Sequence, residues 1–401
     1  MQFDKMKRIL YVHHVSSIGG ASFCLLNIIK GLDRELYEPS VLLATPGPLS
    51  IKLEELGVKV YYLPSLTAIP YNKSLKSIRT IIGYFKVFNS RKGFKTFLAG
   101  KNFDIIYFNN MMLYPYLKTV GKEAKPIVHV REHWPLEVHK QQLKKAQTYI
   151  TKYACQIVAI SRYSASMFPE CENKCTIVHD WISFDDRHKS FVFSDIFGED
   201  VTDKKIYLFT GGGHWTKGAV EVVQTFTSHI KDNNSRLLIL GINKKVKNKK
   251  SIKEKIKSSF LFRNRVDYQQ KLLTLIAADS RIKTLPSIYE IADIMKAAYC
   301  NLSFFTIPHA NLTLAECLLV GTPSVAARTS ESVEYSDEGK LSVLYDIKNI
   351  HAFTNAIDYL NNNYDTIKQH IFEGNGVVKE MFSPDNNLRL LSSVYERCCS
   401  D

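Results

Sequence analysis

Two glycine turns in the chain suit the binding of a phosphate group. Gly19-Gly20 lies between the apolar run RILYVHHV and the helical pattern ASFCLLNIIKGL. In LFTGGGHWTKGAV, Gly212 and Gly213 follow a strand pattern and Lys217 precedes a helical one. Glycine lets the backbone approach a ligand closely, and the amides and positive dipole end of the following helix attract an anion. Both segments are therefore candidate phosphate-binding turns, with a plain tight turn as the alternative.

A third candidate lies in the segment PHANLTLAECLLV. Thr313 and Glu316 have the spacing of a capping box, so a capped helix is the structural interpretation. The functional interpretation is that the helix N-terminus holds a diphosphate while Glu316 accepts hydrogen bonds from ribose hydroxyls. Two such helix starts and one carboxylate indicate a nucleoside diphosphate. The spacings of the P-loop and of the dinucleotide-binding fingerprint are absent, which argues against an ATPase or a dehydrogenase.

These turns are embedded in two runs of alternating strand and helix patterns, typical of doubly wound α/β domains with parallel sheets. The alternation breaks at CTIVHDWISFDDRHKS. We therefore predict one domain over 1–185, a second over 186–380, and a helix within 381–401 that packs back on the first. In open α/β sheets ligands bind at the carboxyl ends of the strands, where the glycine turns fall. The predicted strands are RILYVHHV, PSVLLAT, VKVYYL, FDIIYFNN, PIVHVRE, CQIVAIS, KKIYLFT, RLLILGI, CNLSFF and PSVAA.

The composition fits a cytoplasmic protein of two globular domains. The 401 residues are 45% hydrophobic and 23% charged, which is ordinary for folded domains. The first apolar run, ILYV, ends at His13, so no signal peptide is expected, and no stretch reaches the roughly 18 apolar residues of a membrane helix. The eight cysteines are scattered, which favours isolated thiols in a reducing compartment over a zinc site.

An excess of positive charge predicts an anionic partner. There are 53 Lys and Arg against 39 Asp and Glu, a net charge of +14. The stretch Tyr71–Lys101 has eight basic and no acidic residues, with aromatic residues interleaved. This pattern suits contact with an anionic membrane surface, and a solvated helix face is the alternative. A second basic run, Lys244–Lys257, is interpreted as a solvated loop. No recognisable nucleic-acid-binding motif is present.

Taken together, these segments resemble one known family over almost the whole chain. The chain resembles the retaining glycosyltransferases of GT-B fold, specifically glycosyltransferase family 4 (glycosyl transferases group 1). Five segments carry the resemblance, each loosely, but specifically in their order and spacing: GGASFCLLNIIKGL, IVHVREHW, VAISRYSASMF, GGGHWTKG and AECLLVGTPSVAA. The resemblance implies two Rossmann-like domains facing a central cleft. It also implies transfer of a sugar from a nucleotide diphosphate sugar with retention of configuration.

The resemblance assigns roles to individual residues. One catalytic candidate is His133, which would orient the transferred sugar or acceptor, or stabilise developing charge, with a partly exposed loop histidine as the alternative. The other is Glu132, with a structural salt bridge as the alternative. The acceptor-binding candidates are Asn109 and Arg131, with a turn residue and a structural salt bridge as the respective alternatives. The donor-binding candidates are Gly19, Gly20, Gly212, Gly213, Lys217, Asn311, Leu312, Thr313 and Glu316.

Two positions depart from the family pattern. The family has two glutamates separated by seven residues; Glu316 fits the second, but Pro308, followed by His309, stands at the first. That first carboxylate contacts the transferred sugar, so the sugar preference does not carry over. The arginine of the family's phosphate loop maps onto Gly212, leaving Lys217 as the clear cation. A weakened or non-catalytic donor site is the alternative that these departures raise.

The resemblance implies a mechanism that needs no metal, the sequence agrees with this, and no cofactor is expected. No pair of carboxylates of the DxD type follows a suitable strand, so Lys217 and the helix N-termini would stabilise the leaving diphosphate. No carboxylate is recognisable as a covalent nucleophile. The inference is an attack on the same face of the sugar, assisted by the departing phosphate.

The favoured hypothesis is a hexosyltransferase-type enzyme that extends a lipid-linked glycan in cell-surface polysaccharide synthesis, such as capsule or lipopolysaccharide. It would be cytoplasmic and peripherally bound to the inner face of the cytoplasmic membrane, with no nucleic-acid partner. One alternative is a GT-B enzyme similar to sugar-nucleotide epimerases. The other is a non-catalytic basic protein that binds nucleic acid or membrane.

Overall fold

The computed structural model of the protein describes residues 6–70, 78–184, 191–242, 263–288 and 291–400. The chain divides into two compact units, which we call the first and second domains. The first comprises Met1–Ser183 together with Met381–Asp401, and the second comprises Phe184–Glu380. Each domain is a parallel α/β unit, so the predicted fold class is confirmed.

The first domain is built on a seven-stranded parallel sheet of order β3-β2-β1-β4-β5-β6-β7. The central strands are continuous apolar runs because helices cover both faces of a doubly wound sheet. The strands are β1 (Lys7–Val12), β2 (Tyr37–Leu43), β3 (Lys59–Tyr62), β4 (Ile105–Phe108), β5 (Lys125–Val130), β6 (Gln156–Ala159) and β7 (Cys175–Ile177).

The helices of this domain include one from the C-terminal end of the chain. That helix, Pro384–Ser400, lies against the first sheet: the hydroxyls of Tyr395 and Tyr11 are 3.0 Å apart and hydrogen-bonded, and Tyr395 is completely buried. The α-helices are α1 (Gly20–Gly31), α2 (Pro48–Glu55), α3 (Ile78–Leu98), α4 (Leu136–Tyr153), α5 (Arg162–Ser166) and, numbered in chain order, α14 (Pro384–Ser400). Two 3-10 helices span Met111–Thr119 and Pro169–Lys174.

The second domain repeats the architecture with a six-stranded parallel sheet of order β10-β9-β8-β11-β12-β13. Its strands are β8 (Lys205–Phe209), β9 (Ser235–Leu240), β10 (Ile282–Leu285), β11 (Cys300–Ser303), β12 (Ser324–Ala327) and β13 (Val343–Tyr345). Its helices are α6 (Phe193–Phe197), α7 (Ala219–His229), α8 (Arg263–Ala278), α9 (Ala292–Ala297), α10 (Leu312–Leu319), α11 (Ser330–Tyr335), α12 (Ile350–Asn362) and α13 (Tyr364–Met381), with a 3-10 turn at Trp215–Lys217.

Three strands were not predicted from the sequence. They are β7, β10 and β13, and each lies at an edge of its sheet. An edge strand is less deeply covered, so it lacks the continuous apolar run that reveals a central strand: every residue of β7 is only partly buried. The segment CTIVHDWISFDDRHKS, interpreted as a break in the pattern, thus begins with the last strand of the first sheet.

Part of the basic stretch lies on α3, a helix of 21 residues with no acidic residue. Residues 71–77 of that stretch, and the whole run Lys244–Lys257, lie outside the described residues. Among the described helices, none combines the length and the apolar character needed to span a bilayer.

Candidate functional site

The strand order reverses once in each sheet, and the candidate residues collect around these two points. In the first sheet the reversal lies between β1 and β4, and in the second between β8 and β11. At such a switch point the chains leave neighbouring strands in opposite directions, which opens a crevice at the carboxyl edge of the sheet.

At the first switch point, two histidines follow β1 and two asparagines follow β4. The pairing of Val12 with Phe108 at the ends of the strands places these residues side by side. The amide of Asn109 donates to Nδ1 of His13 at 3.1 Å. The amide of Asn110 donates to Nδ1 of His14 at 3.2 Å.

This pairing also holds the first glycine turn. Since Nδ1 of His13 accepts from Asn109, its Nε2 donates to the Ser22 hydroxyl at 3.0 Å, and that hydroxyl donates to the carbonyl of Ser17. Asn109 Nδ2 is in addition 3.1 Å from the carbonyl oxygen of Ala21. The turn carrying Gly19 and Gly20, at the start of α1, is therefore fixed on both sides.

Burial keeps the two histidines neutral. Desolvation, helped by the nearby charges of His14 and Arg131, lowers the pKa of His13 to about 3. Desolvation lowers the pKa of His14 to about 4. Both rings therefore act as hydrogen-bonding groups at neutral pH, rather than as cations.

Arg131, an acceptor-binding candidate, forms a buried ion pair with Asp180. Its Nη2 also donates to Asn109 Oδ1 at 3.3 Å and to His129 Nδ1 at 3.0 Å. The side chain is only 6% exposed. Arg131 thus forms the structural salt bridge that was the alternative to acceptor binding, and Asp180 compensates its positive charge.

Glu132 is held at the start of the 3-10 helix Met111–Thr119. Its Oε2 accepts the backbone amides of Met111 at 3.0 Å and of Arg131 at 3.1 Å. Burial nevertheless raises the pKa of Glu132 to about 7, against the opposing effect of these hydrogen bonds. Because its pKa lies near neutrality, Glu132 is able to exchange a proton near neutral pH.

His133 is buried rather than half-exposed in a loop. Its side chain has 8% of its surface exposed. The ring stacks on Tyr163 of α5 with centroids 4.0 Å apart and planes at 11°. The structure thus gives His133 a packing role and leaves its assignment to the transferred sugar a prediction.

At the second switch point, the turn after β8 has a backbone that requires glycine. Gly212 has φ of +60°, and a Cβ there would lie 3.1 Å from the carbonyl oxygen of Gly241. Gly218 has φ of +71°, and its Cβ would lie 2.3 Å from the carbonyl oxygen of Phe304. An arginine at position 212, which the resemblance predicts there, would therefore be strained in this backbone. Gly213 lies in the same turn and is partly buried.

Lys217 ends the short 3-10 turn after these glycines. Its Nζ lies 4.6 Å from the centroid of the Phe305 ring. That ring also stacks with the His309 ring, with centroids 3.8 Å apart. Burial lowers the pKa of Lys217 to about 8. Among the described residues, no carboxylate lies within salt-bridge distance of its ammonium group.

Helix α10 supplies the other donor-binding candidates. It begins at Leu312, and its N-cap is Asn311, whose side-chain oxygen accepts the amide of Leu314. The capping-box interpretation of Thr313 and Glu316 is therefore wrong. Thr313 instead accepts a hydrogen bond from the hydroxyl of Thr210 at 3.0 Å. This bond joins the end of β8 to the start of α10 across the switch point.

Glu316 lies one turn into α10. Burial alone raises its pKa to about 7. In the part of the chain that the structure describes, it forms no ion pair. A lysine and a glutamate, each with its charge destabilised by burial, thus occupy the second switch point.

Comparison with known proteins finds the fold among solved structures. No family model and no curated protein matches the sequence. HepE of Anabaena, in complex with UDP and glucose, superposes with a TM-score of 0.72 at 16% identity, covering 98% of this chain and 99% of its own. Sucrose-phosphate synthase of Thermosynechococcus elongatus gives 0.71 at 12% identity over 98% and 99%. The lipopolysaccharide outer core galactosyltransferase WaaB gives 0.62 at 14% identity over 97% and 99%.

This chain has the GT-B fold. At these identities the likeness extends to the fold and to no particular substrate. The two domains of a GT-B protein correspond to the two parallel sheets described above, so each switch point belongs to one of its Rossmann-like domains.

Two features of the first switch point were not predicted from the sequence. His13 and His14 were treated only as the end of an apolar run, and Asp180 was not considered. The signal was present: two polar residues directly follow each of two apolar strands, RILYV and IIYF. Asp180 carries no such signal, because its partner Arg131 is 49 positions away.

Proposed function

We propose that this protein is a glycosyltransferase that binds a nucleotide diphosphate sugar in its second domain and transfers the sugar to a glycan acceptor. The observation that carries the proposal is the pair Lys217 and Glu316. Each has a pKa drawn towards neutrality by burial alone, and neither has a counter-ion among the described residues. Such groups are characteristic of functional sites, because a bound ligand supplies the missing partner.

The chemistry of the pair fits a nucleoside diphosphate. The ammonium group of Lys217 would pair with a phosphate oxygen, and the diphosphate would restore the charged form that burial disfavours. The amide of Gly212 already donates to the carbonyl of Leu240 at 3.0 Å, so other amides of the turn after β8, together with those of the first turn of α10, would donate to the remaining oxygens. Glu316 would accept hydrogen bonds from the ribose hydroxyls. HepE is a protein of the same fold that binds UDP and glucose.

During transfer, negative charge develops on the leaving diphosphate. Lys217 and the helix amides would stabilise that charge more strongly in the transition state than in the ground state, which is what lowers a barrier. We propose that transfer retains the configuration of the sugar and needs no metal. His133 and Glu132 remain the candidates for contacts with the transferred sugar, and Asn109 for contact with the acceptor.

The test is a thermal-shift series with UDP, GDP, ADP and their glucose conjugates. A ligand that binds the folded state raises the melting temperature by mass action. We expect one nucleoside diphosphate to produce a shift. We also expect its sugar conjugate to release that nucleoside diphosphate, with the sugar transferred, only when an acceptor is present. If none of these compounds shifts the melting temperature, the donor site is refuted.

The acceptor in this proposal is lipid-linked, and helix α3 provides the membrane contact. A stripe of large apolar side chains is exposed along this helix, at spacings of three and four that place them on one face. The most exposed aromatic members are Phe85 at 65% and Phe88 at 67%. The remaining members are Ile78, Ile81 and Ile82.

The charge of α3 agrees with an anionic membrane as its partner. Lys86 is exposed on the helix, and Arg91 lies over the Phe88 ring with its guanidinium carbon 5.7 Å from the centroid. A basic helix with an exposed apolar face lies in the interface of an anionic bilayer. This placement favours synthesis of a cell-surface polysaccharide from the inner face of the cytoplasmic membrane.

Flotation with liposomes tests this contact. We expect Phe85→Ser with Phe88→Ser to reduce binding to anionic vesicles about tenfold or more, since each buried aromatic ring contributes about 1.5–3 kcal/mol. Phe372→Ser is the matched control, because Phe372 is 79% exposed on a helix of the second domain. Equal binding by the double variant and the control would refute the role of α3. Binding to duplex DNA at about 150 mM salt, without binding to vesicles, would favour the nucleic-acid alternative.

A further inference from the structure

Two cysteine thiols from distant parts of the chain are in contact in the first domain. Cys155 directly precedes β6, and its backbone amide donates to the carbonyl of Pro126, in β5, at 2.7 Å. Cys398 lies in the last turn of α14. The Cys398 thiol donates a hydrogen bond to the Cys155 sulfur, and the two sulfur atoms are 3.2 Å apart. The fold thus brings together two thiols that are 243 positions apart in the sequence.

The packing of α14 keeps Cys398 in this place. One face of the helix, with spacings of three and four residues, is at most 1% exposed and belongs to an apolar core of the first domain. The Tyr395 hydroxyl on this face is hydrogen-bonded to that of Tyr11 in β1. The other members of the face are Leu391, Val394 and Cys398. The contact between the thiols therefore follows from the docking of the helix on the sheet.

The separation of the two sulfur atoms leaves a short step to a disulfide. The sulfur atoms of a disulfide are about 2.05 Å apart. The atoms of Cys155 and Cys398 are 3.2 Å apart, so they need to approach by about 1 Å. Rotation of the two side chains is sufficient for this approach, and the helix keeps its place on the sheet.

The two thiols differ in their access to solvent. Cys155 is partly exposed, whereas Cys398 is completely buried. The hydrogen bond that Cys398 donates to Cys155, together with burial, raises the pKa of the Cys398 thiol. The same bond places a donor against the Cys155 sulfur, which favours the thiolate form of Cys155. A dissolved oxidant therefore meets Cys155 first.

A third thiol and two lysines lie beside this pair. Burial raises the pKa of the partly exposed Cys399, the charge of Lys7 lowers it, and that of Asp104 raises it. Lys125, the first residue of β5, lowers the pKa of both Cys398 and Cys399. Reactive cysteines occupy partly exposed surroundings of this kind, with cations nearby.

From this geometry we infer that Cys155 and Cys398 form a thiol switch, which a peroxide oxidises to a disulfide. The Cys155 thiolate attacks one peroxide oxygen, the O–O bond breaks, and the other oxygen leaves as hydroxide, which takes up a proton to become water. Cys155 is now a sulfenic acid. The Cys398 sulfur attacks the Cys155 sulfur, the S–O bond breaks, and the hydroxyl leaves with the Cys398 proton as a second water. In total, two thiols and one hydrogen peroxide give one disulfide and two water molecules.

The disulfide fixes the helix that supports the first switch point. The Tyr395 ring packs against Tyr107, with centroids 6.1 Å apart, and the Tyr107 hydroxyl is hydrogen-bonded to His129 at 2.6 Å. The side chain of Asn387, also on α14, accepts the backbone amide of His179 at 2.8 Å. A covalent link across a long loop restricts the unfolded chain, so oxidation stabilises the first domain.

The switch is independent of the proposed glycosyltransferase activity. Cys155 precedes β6, so the thiols lie at the amino ends of the strands, whereas the switch points lie at the carboxyl ends. In a reducing compartment the two thiols are normally free, and a disulfide there is transient and reports the presence of an oxidant.

The test treats the reduced protein with a small excess of hydrogen peroxide, alkylates the remaining thiols after denaturation, and maps the peptides by mass spectrometry. We expect a cross-link between Cys155 and Cys398 that dithiothreitol reverses. We also expect oxidation to raise the melting temperature by about 4 °C or more. A sulfinic acid at Cys155 without a cross-link, or a cross-link from Cys155 to Cys399, would overturn the inference.

Four variants separate the roles of the thiols. Cys155→Ser should lose both the cross-link and the rise in melting temperature. Cys398→Ala should also lose both, but its Cys155 should still form a sulfenic acid that dimedone traps. Cys399→Ser should keep the cross-link. Cys175→Ser is the matched control and should keep it too, because Cys175 is also partly exposed and lies on β7, next to β6.

The variants contradict the switch in three ways. The rise in melting temperature persists in Cys155→Ser, or the cross-link disappears in Cys175→Ser, or dimedone fails to label Cys155 in Cys398→Ala. Because Cys155 is partly exposed, its replacement by serine leaves the core unchanged. Cys155→Ser therefore carries the test even if Cys398→Ala does not fold.

Discussion

The two switch points occupy equivalent places in two sheets of the same kind, yet they differ in whether their charged side chains have protein partners. At the first, the guanidinium of Arg131 is paired with Asp180, and His13 is hydrogen-bonded at both ring nitrogens. At the second, Lys217 and Glu316 are desolvated without any compensating charge among the described residues. The charge of Arg131 at the first switch point thus has a protein partner, whereas the charges of Lys217 and Glu316 at the second have none among the described residues.

The difference separates structural polar groups from ligand-binding ones. A buried charge with a protein partner stabilises a unique arrangement but has little affinity left for a ligand. A buried charge without a partner costs folding free energy, and a ligand that supplies the partner recovers it. We therefore expect variants at the first switch point to change stability and variants at the second to change nucleotide binding.

The largest effect is expected at Arg131. Arg131→Ala leaves the carboxylate of Asp180 without its partner in a site where only 15% of that side chain is exposed. Removing one member of a buried pair costs about 3–5 kcal/mol. Urea denaturation should therefore show a loss of about 3 kcal/mol or more in the free energy of unfolding of the first domain.

The control for this variant is an ion pair on the surface. Lys340→Ala breaks the pair with Asp337, in which the lysine is 68% exposed, and such pairs contribute about 0–1 kcal/mol. If Arg131→Ala were as mild as Lys340→Ala while abolishing sugar transfer, Arg131 would be an acceptor-binding residue and the contrast between the switch points would fail.

The next effect is expected at Lys217. Lys217→Met keeps an apolar chain over Phe305 and removes the ammonium group. A hydrogen bond to a charged group contributes about 1.5–3 kcal/mol, so the Kd for the nucleoside diphosphate should rise about 10- to 100-fold in calorimetric titration. The melting temperature of the ligand-free variant should stay equal or rise, because a partly buried charge that desolvation disfavours has been removed.

Lys205→Met is the matched control for Lys217→Met. Lys205 also lies over an aromatic ring, with Nζ 4.9 Å from the centroid of Tyr299, but it begins β8, at the end of the strand opposite to the glycine turn. Its nucleotide Kd should be unchanged. A common rise in both variants would mean that Lys217 acts through the net charge of the domain rather than through contact.

The architecture could be predicted from the sequence because it depends on local patterns. The central strands are continuous apolar runs, and the helices that follow Gly19 and Gly218 begin where the turn residues indicated. The edge strands β7, β10 and β13 were missed because their apolar signal is short. Local patterns thus reveal the centre of a sheet better than its edges.

The candidate site was predictable in its location but not in its chemistry. The turn around Gly212 and the start of α10 were found from residue types alone. Sequence spacing could not show that Asn311, rather than Thr313, caps α10, nor that Arg131 is paired with Asp180. It also could not show that Lys217 and Glu316 have no counter-ion among the described residues. Such facts depend on contacts between distant residues, so they require the three-dimensional structure.

The smallest effect, a dependence of stability on pH, is expected at Glu316. In the folded protein its pKa is raised from 4.5 to about 7, while in the unfolded chain it stays near its ordinary value. Between these two values the folded state binds more protons than the unfolded state. The contribution of Glu316 to the free energy of unfolding therefore falls as pH rises from about 4.5 to 7, and it stays low above pH 7.

Glu316→Gln removes this dependence and should make the protein more stable above pH 7. A pKa shift of this size corresponds to about 3 kcal/mol at pH 8, but the Glu316 side chain is partly exposed to solvent, which screens its charge. We therefore expect a gain of about 1 kcal/mol at pH 8, seen as a melting temperature about 2–4 °C higher, and almost no gain at pH 4.5. Glu132→Gln in the same series is the informative comparison. The pKa of Glu132 is also about 7, but its carboxylate accepts two backbone amides, which a neutral amide oxygen accepts less strongly. Its gain at pH 8 should therefore be smaller. The opposite result is a difference in stability between Glu316→Gln and the unsubstituted protein that does not vary with pH. That result would mean that the Glu316 carboxyl group already has a partner within the protein, so that the contrast between the two switch points fails.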